Sequence, residues 1–218
     1  MTKIVAVIPV RSGSTRVPKK GFRNFCGTTL LDCKIESLKQ VDNLHVIVST
    51  DSVDAMNIAR KHGVAVHKRE KFYASSKCTG SEFFVNLAES IDSEILVYSP
   101  PTSPFVKPET VNKAINTYFE EECDSVSTVF PVKHHMWLNG KPINYSISDS
   151  PNSQDLPDIQ KITYGICINS NKNIVKFKNV VGNRPYLLQL QEIEAVDIDT
   201  MLDFQFAEFL YERKIKNV

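Results

Sequence analysis

The chain has almost no net charge. Its 218 residues carry 26 Lys and Arg against 25 Asp and Glu, a formal charge of +1. A nucleic-acid binder would need a large basic excess, and an acidic solvating tail would show the reverse, so neither class is expected. Long apolar runs are also missing. The run Ile4 to Val10 is too short to span a bilayer, contains Pro9, and is followed by Arg11 without a small-x-small cleavage site, so it reads as a strand rather than a signal. No other stretch approaches about 18 uninterrupted apolar residues, and no membrane partner is expected. The cysteines (Cys26, Cys33, Cys78, Cys123, Cys167) are odd in number, widely spaced, and without a CxxC pair or a His at zinc spacing. They read as reduced core thiols of a cytoplasmic protein. Glycine is scarce at 8 residues, and with 42% hydrophobic and 23% charged residues the composition is that of a globular protein, not a disordered or fibrous one. The length suggests one domain, 1–218, with a small excursion, and such a chain should bury roughly 70% of its unfolded surface.

What is present is an alternation. Ile4 to Ile8 is apolar at every position, which suits a strand covered on both faces. After a basic loop, Thr29 can cap a helix whose apolar positions Leu31, Ile35 and Leu38 fall at helical spacing. Leu44 to Val48 reads as a second strand, Ala55 to Ala59 as a helix stopping at Gly63, and Val64 to Val66 as a third strand. A helix over Glu82 to Ile91, a strand Ile95 to Tyr98, and a helix opened by Pro108 and faced by Val111, Ile115, Tyr118 and Phe119 follow. Strands are then expected at Ser125 to Phe130, Thr163 to Asn169 and Leu187 to Leu190. The last helix starts at Thr200 with a capping-box-like Asp203, and Leu202, Phe206, Phe209 and Leu210 are expected to face the core. Strands alternating with helices mean βαβ units and a mostly parallel sheet in a layered α/β domain. The segment at about 131–160 breaks the rhythm with Pro142, Pro151, Pro157, many Asn and Ser, and an isolated Met136-Trp137-Leu138. A long aperiodic segment is usually functional or disordered. It reads as an extension that packs on a partner subunit, with a mobile lid as the alternative.

Two places concentrate charge. Arg11-Ser-Gly-Ser-Thr-Arg-Val-Pro-Lys-Lys20 leaves the carboxyl end of the first strand, where open parallel sheets bind ligands. Arg11, Arg16, Lys19, Lys20 and Arg23 put five cations within thirteen residues, and Gly13 between Ser12 and Ser14 would let the backbone approach an anion. That suits a triphosphate, which needs neutralisation before in-line attack, although the loop is neither a Walker A sequence nor a Rossmann GxGxxG. The other place is Val196-Asp197-Ile198-Asp199-Thr200. In an extended backbone Asp197 and Asp199 share a side and can converge on one cation, and Mg²⁺ is commonly held by such carboxylates with water and phosphate oxygens. Asp199 could instead supplement the helix cap. Ser49-Thr50-Asp51 and Pro100-Pro101-Thr102-Ser103-Pro104 also lie at strand ends, where Asp51 could equally cap a helix and the prolines shape a turn. His134 and His135 lack metal-pair spacing and suit a surface or interface role.

Together, the strand and basic loop, Ser-Thr-Asp at 49–51, Pro-Thr-Ser-Pro at 101–104, His-His at 134–135, Tyr-Gly-Ile-Cys-Ile-Asn at 164–169 and Asp-Ile-Asp-Thr at 197–200 resemble the acylneuraminate (CMP-sialic acid) and Kdo-type cytidylyltransferases. The resemblance implies a Rossmann-like three-layer nucleotidyltransferase fold with a small dimerisation extension, a homodimer, and transfer of CMP from CTP to an acidic sugar with release of pyrophosphate, for surface polysaccharide or glycan biosynthesis. It places Arg11, Ser12, Gly13, Ser14, Arg16 and Lys20 on the nucleotide phosphates and Arg69 near cytosine and ribose, with Thr79, Gly80 and Ser81 beside it. Asp197 and Asp199 become Mg²⁺ ligands, Arg11, Lys20 and Asp199 the catalytic groups, and Pro100, Thr102, Tyr164 and Lys161 the acceptor side. Thr15 stands where sialate enzymes usually have Lys, Gly21 where they have Asn, and Pro100, Tyr164 and Cys167 replace a Gln, an Asn and a Tyr that touch sialic acid. The nucleotide half is kept and the acceptor half rewritten, so the acceptor is expected to be another nonulosonate, a Kdo-like acid or a small anion such as a phosphonate. Arg184, Lys161 and Lys133 are candidate anion partners. Uridylyl or guanylyl transfer, and a nucleotide-binding protein without turnover, are the competing readings.

Overall fold

The β-branched runs condense into one sheet that helices cover on both faces. The computed structural model describes residues 2–216, with side chains through 213. In chain order the elements are β1 (Ile4–Val10), β2 (Asn24–Phe25), β3 (Thr28–Thr29), α1 (Leu30–Leu38), β4 (His45–Thr50), α2 (Val53–Lys61), β5 (Ala65–Lys68), α3 (Gly80–Ser90) and β6 (Ile95–Tyr98). Then come α4 (Pro108–Glu120), β7 (Ser125–Val132), β8 (Trp137–Leu138), β9 (Lys141–Pro142), β10 (Ile159–Ser170), α5 (Asn171–Phe177), β11 (Pro185–Gln189) and α6 (Met201–Lys216). The main sheet has seven strands in the order β11-β7-β10-β6-β1-β4-β5. Every pairing is parallel except those of β10, which runs antiparallel to both β6 and β7.

Three cores follow from side-chain alternation. One face packs Ala6, Ile8 and Val48 against Leu31 and Ile35 of α1, Ala55 of α2 and Val111 of α4. The other packs Val5, Val7 and Leu96 against Leu87 of α3 and Ile174 of α5. A third, smaller core gathers Val17, Phe25, Leu30, Phe105, Ile198 and Phe204, which ties the basic loop and the Asp197–Asp199 segment to α6. Thr29 caps α1 and Pro108 opens α4 as the spacing predicts.

Two helix faces differ from expectation. On α6, Leu202 is 74% exposed and Phe206 and Phe209 are each 50% exposed, whereas Phe204 and Ala207 are buried. The helix carries apolar residues around much of its circumference, so periodicity could not choose the face, and the small third core selects the Phe204 stripe. Leu210 does pack against that core. On α4, Phe119 is 55% exposed, and the buried positions are Val111, Ala114 and Thr117. The proline-rich segment begins and ends inside β7 and β10, and between them carries the β8–β9 hairpin and a 3₁₀ turn at Ser153–Asp155.

Lys34 occupies a core position of α1 and is only 1% exposed, and burial lowers its ammonium to about 7. The unfolded chain keeps this proton up to ~10.4. Between those pH values the unfolded state binds more protons than the folded one, so this group makes stability rise with pH across that window. Lys34→Met is therefore expected to be more stable than wild type at pH 6, with an advantage of a few kcal/mol that shrinks towards pH 9.5. Denaturant unfolding of both proteins across that range checks it.

Candidate functional site

β1 is flanked by β6 on one side and β4 on the other, so the chain reverses its direction of sheet building there and leaves a crevice at the carboxyl ends of the strands. A cavity of about 430 Å³ lies in it, reached by Pro9 and Val10 from β1, Tyr98 from β6 and Thr163 and Tyr164 from β10. Arg11, Ser14, Arg16, Lys20, Arg69, Gly80, Pro100, Thr102, Tyr164 and Asp197, all singled out in the sequence, line it. Ser12, Gly13, Ser81, Lys161 and Asp199 are not among its lining residues.

The residues outside the lining have identifiable surroundings. Ser12 is turned to Asp51: its backbone N–H donates to Oδ1 at 2.9 Å and its hydroxyl to Oδ2 at 2.5 Å. Burial alone would raise the Asp51 carboxyl, but the two Ser12 bonds and the charge of Arg69 outweigh it and hold it below the usual range. Asp51 is thus neither a cap nor a cavity group, since Ser52 caps α2. It clamps the first turn of the basic loop. A Cβ on Gly13 would meet nothing within 4 Å, so packing does not require glycine there. Lys161 is exposed, yet its charge reaches Asp197. Lys133 donates to the Leu156 carbonyl at 2.7 Å and pairs with Asp158, within the proline-rich segment. The backbone N–H of Arg184 donates to Asp124. His134 and His135 organise the same segment: the His134 carbonyl accepts from Asn144, and the His135 ring stands 4.6 Å from that of Tyr145.

The charged wall is built from two ends. Lys20 Nζ donates to the Ile198 carbonyl at 2.6 Å and lies 3.5 Å from Asp199 Oδ1, which also accepts from Arg16 at 2.9 Å. Hence the basic loop and the acidic segment already attract each other, although the Arg16 pair is exposed enough to contribute little. The Asp197 carboxyl is pushed up, chiefly by burial and further by Asp199, against the Thr102 hydroxyl and the charges of Lys20 and Lys161. Arg69 is buried, its guanidinium lowered to about 10 by burial. It donates to the Ser49 carbonyl at 2.6 Å and lies 4.5 Å from the Phe83 ring centroid.

The cavity also has an aromatic lining. Tyr73, Phe83, Phe84 and Tyr98 line the cavity. Phe83 and Phe84 follow the Thr79–Glu82 capping box that starts α3, a motif visible in the sequence as Thr-x-x-Glu. Tyr164 joins them because β10 slips register against β7 between Ile162 and Cys167. Its φ of 55° is left-handed, a conformation that costs a non-glycine residue about 1–3 kcal/mol. Hydroxyls satisfy the irregular backbone. The Ile166 N–H donates to Thr128 Oγ1 at 3.0 Å, Ser99 Oγ donates to the Gly165 carbonyl at 3.0 Å, and Thr163 Oγ1 donates to the Thr128 carbonyl at 3.1 Å. At Gly165 a Cβ would stand 3.2 Å from Val106 Cγ2, so bulk there is disfavoured.

Among the described residues no group of three or more His, Cys, Asp and Glu is placed to hold a metal. Asp197 and Asp199 supply two carboxylates close enough to interact, the donor set of a hard cation that is shared with phosphate oxygens and water rather than caged by protein. Asp51→Ala should loosen the basic loop without unpacking the core. Each of the two bonds to the carboxylate is worth about 1.5–3 kcal/mol, so losing even one bond's worth of loop order should weaken binding of a polyanion in the cavity roughly ten- to hundredfold and lower the melting temperature by several degrees, as read by calorimetric titration and thermal melts.

A family model described as Cytidylyltransferase matches residues 5–215. The chain is 30% identical to a CMP-N,N'-diacetyllegionaminic acid synthase of Legionella pneumophila subsp. pneumophila, over 96% of this chain and 97% of that one. It is 26% identical to a post-translational flagellin modification protein B of Campylobacter coli, over 98% and 97% respectively. Its fold is shared with a solved CMP:2-keto-3-deoxy-manno-octonic acid synthetase complexed with CTP, at a TM-score of 0.71 and 15% identity, covering 98% of this chain and 100% of that one.

Proposed function

The chain belongs to the cytidylyltransferase family, and we propose that it transfers CMP from CTP to an acidic sugar of the nonulosonate or Kdo-like class. The observation that carries this reading is the convergence of Arg11, Arg16, Lys20 and Arg69 with Asp197 around one cavity at the carboxyl ends of β1 and β6. Those cations suit a triphosphate. In the reaction an acceptor hydroxyl oxygen bonds to the α-phosphorus of CTP, the bond from that phosphorus to the bridging oxygen breaks, and pyrophosphate leaves. Arg11 and Lys20 take up the charge that develops on the phosphate oxygens. Asp197 and Asp199 would hold Mg²⁺, which when bound supplies further neutralisation of those oxygens. For the hydroxyl proton, Asp197 is better placed than Asp199, because it faces the cavity while Asp199 is engaged by Arg16 and Lys20.

The aromatic lining with Pro100 and Tyr164 supports an acceptor with apolar surface to bury, such as the methyls of acetyl groups, and the Legionella relative is named for a diacetylated acid. A homodimer is supported by the segment between β7 and β10, which exposes Trp137, Leu138 and Ile147. Five free thiols and an intracellular nucleotide donor support a cytoplasmic setting, and no described helix is long and apolar enough to cross a membrane. A coupled pyrophosphate assay with CTP, UTP and GTP against nonulosonates, Kdo-like acids and phosphonates tests the reading. Release with CTP and an acidic sugar is expected. Release with another nucleotide, or with phosphonates alone, would replace it, and CTP binding without release from any acceptor would leave a binding protein.

A further inference from the structure

Lys34 stands where the helical spacing of α1 calls for an apolar residue, among Leu30, Leu31, Ile35 and Leu38. Its partner is a carbonyl rather than a carboxylate: Nζ donates to Ser103 O at 2.7 Å. A methionine would fill the same space without a buried ammonium, so the packing of α1 does not explain the lysine. Its place does. Ser103 ends the turn that brings Pro100, Pro101 and Thr102 to the cavity. The Thr102 carbonyl accepts the Ile198 N–H at 2.9 Å, between the two aspartates, and the Thr102 hydroxyl bonds Asp197. Downstream, Ser37 Oγ donates to the Val106 carbonyl at 3.2 Å, and the buried Glu194 accepts the Lys107 N–H at 3.0 Å. Those two bonds hold the exit of the loop, while Lys34 holds the part that touches the acidic segment.

We propose that Lys34 is a positioning residue, whose hydrogen bond to Ser103 fixes the Pro100–Ser103 turn and, through Thr102, the place of Asp197 relative to the cavity. The inference rests on the reading of that cavity as a cytidylyltransferase site. It assigns a role in turnover to a side chain that cannot touch substrate.

The test compares wild type with Lys34→Met, and with Lys34→Gln should the first variant fail to fold. Misplacing a reacting group by about 1 Å costs on the order of 10²-fold in rate. Lys34→Met is accordingly expected to melt at or above the wild-type temperature, lose about 10- to 100-fold in kcat, and keep its KM for CTP within about twofold, because the basic loop is untouched. Hydrogen exchange at the Ile198 amide should quicken about tenfold or more while β4 amides stay unchanged. Unchanged Ile198 exchange overturns the proposal whatever the rate, and so does a kcat equal to that of wild type in a folded variant. A wild-type protein that releases no pyrophosphate would remove the proposed reaction instead, and the exchange comparison would still decide the role of Lys34.

Discussion

Asp197→Asn should lower pyrophosphate release from CTP by about 10³-fold or more, with CTP affinity changed far less. Asp197 is the carboxylate of the acidic segment that lines the cavity, and burial with the nearby Asp199 charge pushes its carboxyl up. Amide substitution preserves shape and removes the negative charge that a cation or the proton of an attacking hydroxyl would need there. Asp199→Asn should have the smaller effect, since its Oδ1 is engaged by Arg16 at 2.9 Å and Lys20 at 3.5 Å. Single-turnover rates for the two variants separate the roles. Equal losses would mean that the two carboxylates act as one unit, and a rate for Asp197→Asn within tenfold of wild type would remove Asp197 from the chemistry.

Lys20→Met is the second large effect, expected at about 10²- to 10³-fold in kcat. Lys20 lines the cavity and simultaneously donates to the Ile198 carbonyl at 2.6 Å. Its removal therefore takes a cation from the cavity and a tie from the acidic segment. Arg16→Met also removes a cavity cation and an exposed partner of Asp199, but no tie to the Ile198 backbone, and should cost about tenfold or less. The ordering of the two variants, read as kcat at saturating CTP, distinguishes a double role for Lys20 from simple charge counting, under which both would lose alike.

How much of this was legible in the sequence depended on the range of the interaction. β6 has the predicted ends, and Thr29 and Pro108 begin their helices as predicted, because caps and β-branched runs act within a few residues. α5 was missed: it has seven residues, one buried apolar position at Ile174, and a Ser170 cap that looks like any loop serine. The outward stripe of α6 was misassigned because its partner core, from Val17 to Phe204, is assembled from segments far apart in the chain. In the site, Arg11, Arg16 and Lys20 were legible because they belong to a cluster of five cations in one loop, although Lys19 and Arg23 of that cluster do not line the cavity. The clamp of Asp51 on Ser12 was not, since 39 residues separate them. Phe83 and Phe84 carry no signal beyond their place in the helix over Glu82 to Ile91, whereas Tyr164 is reached through the family resemblance, and the register slip of β10 gives the physical reason that it lines the cavity with them.

On the proposed reading, these cations and Asp197 serve transfer of CMP to an acidic acceptor. The most direct measurement of that transfer is mass spectrometry of the products after the protein is incubated with CTP, Mg²⁺ and candidate acidic sugars. A CMP-acceptor conjugate is expected in equimolar amount with pyrophosphate, and its loss in Asp197→Asn. CTP that binds but returns unchanged with every acidic sugar would contradict the reading.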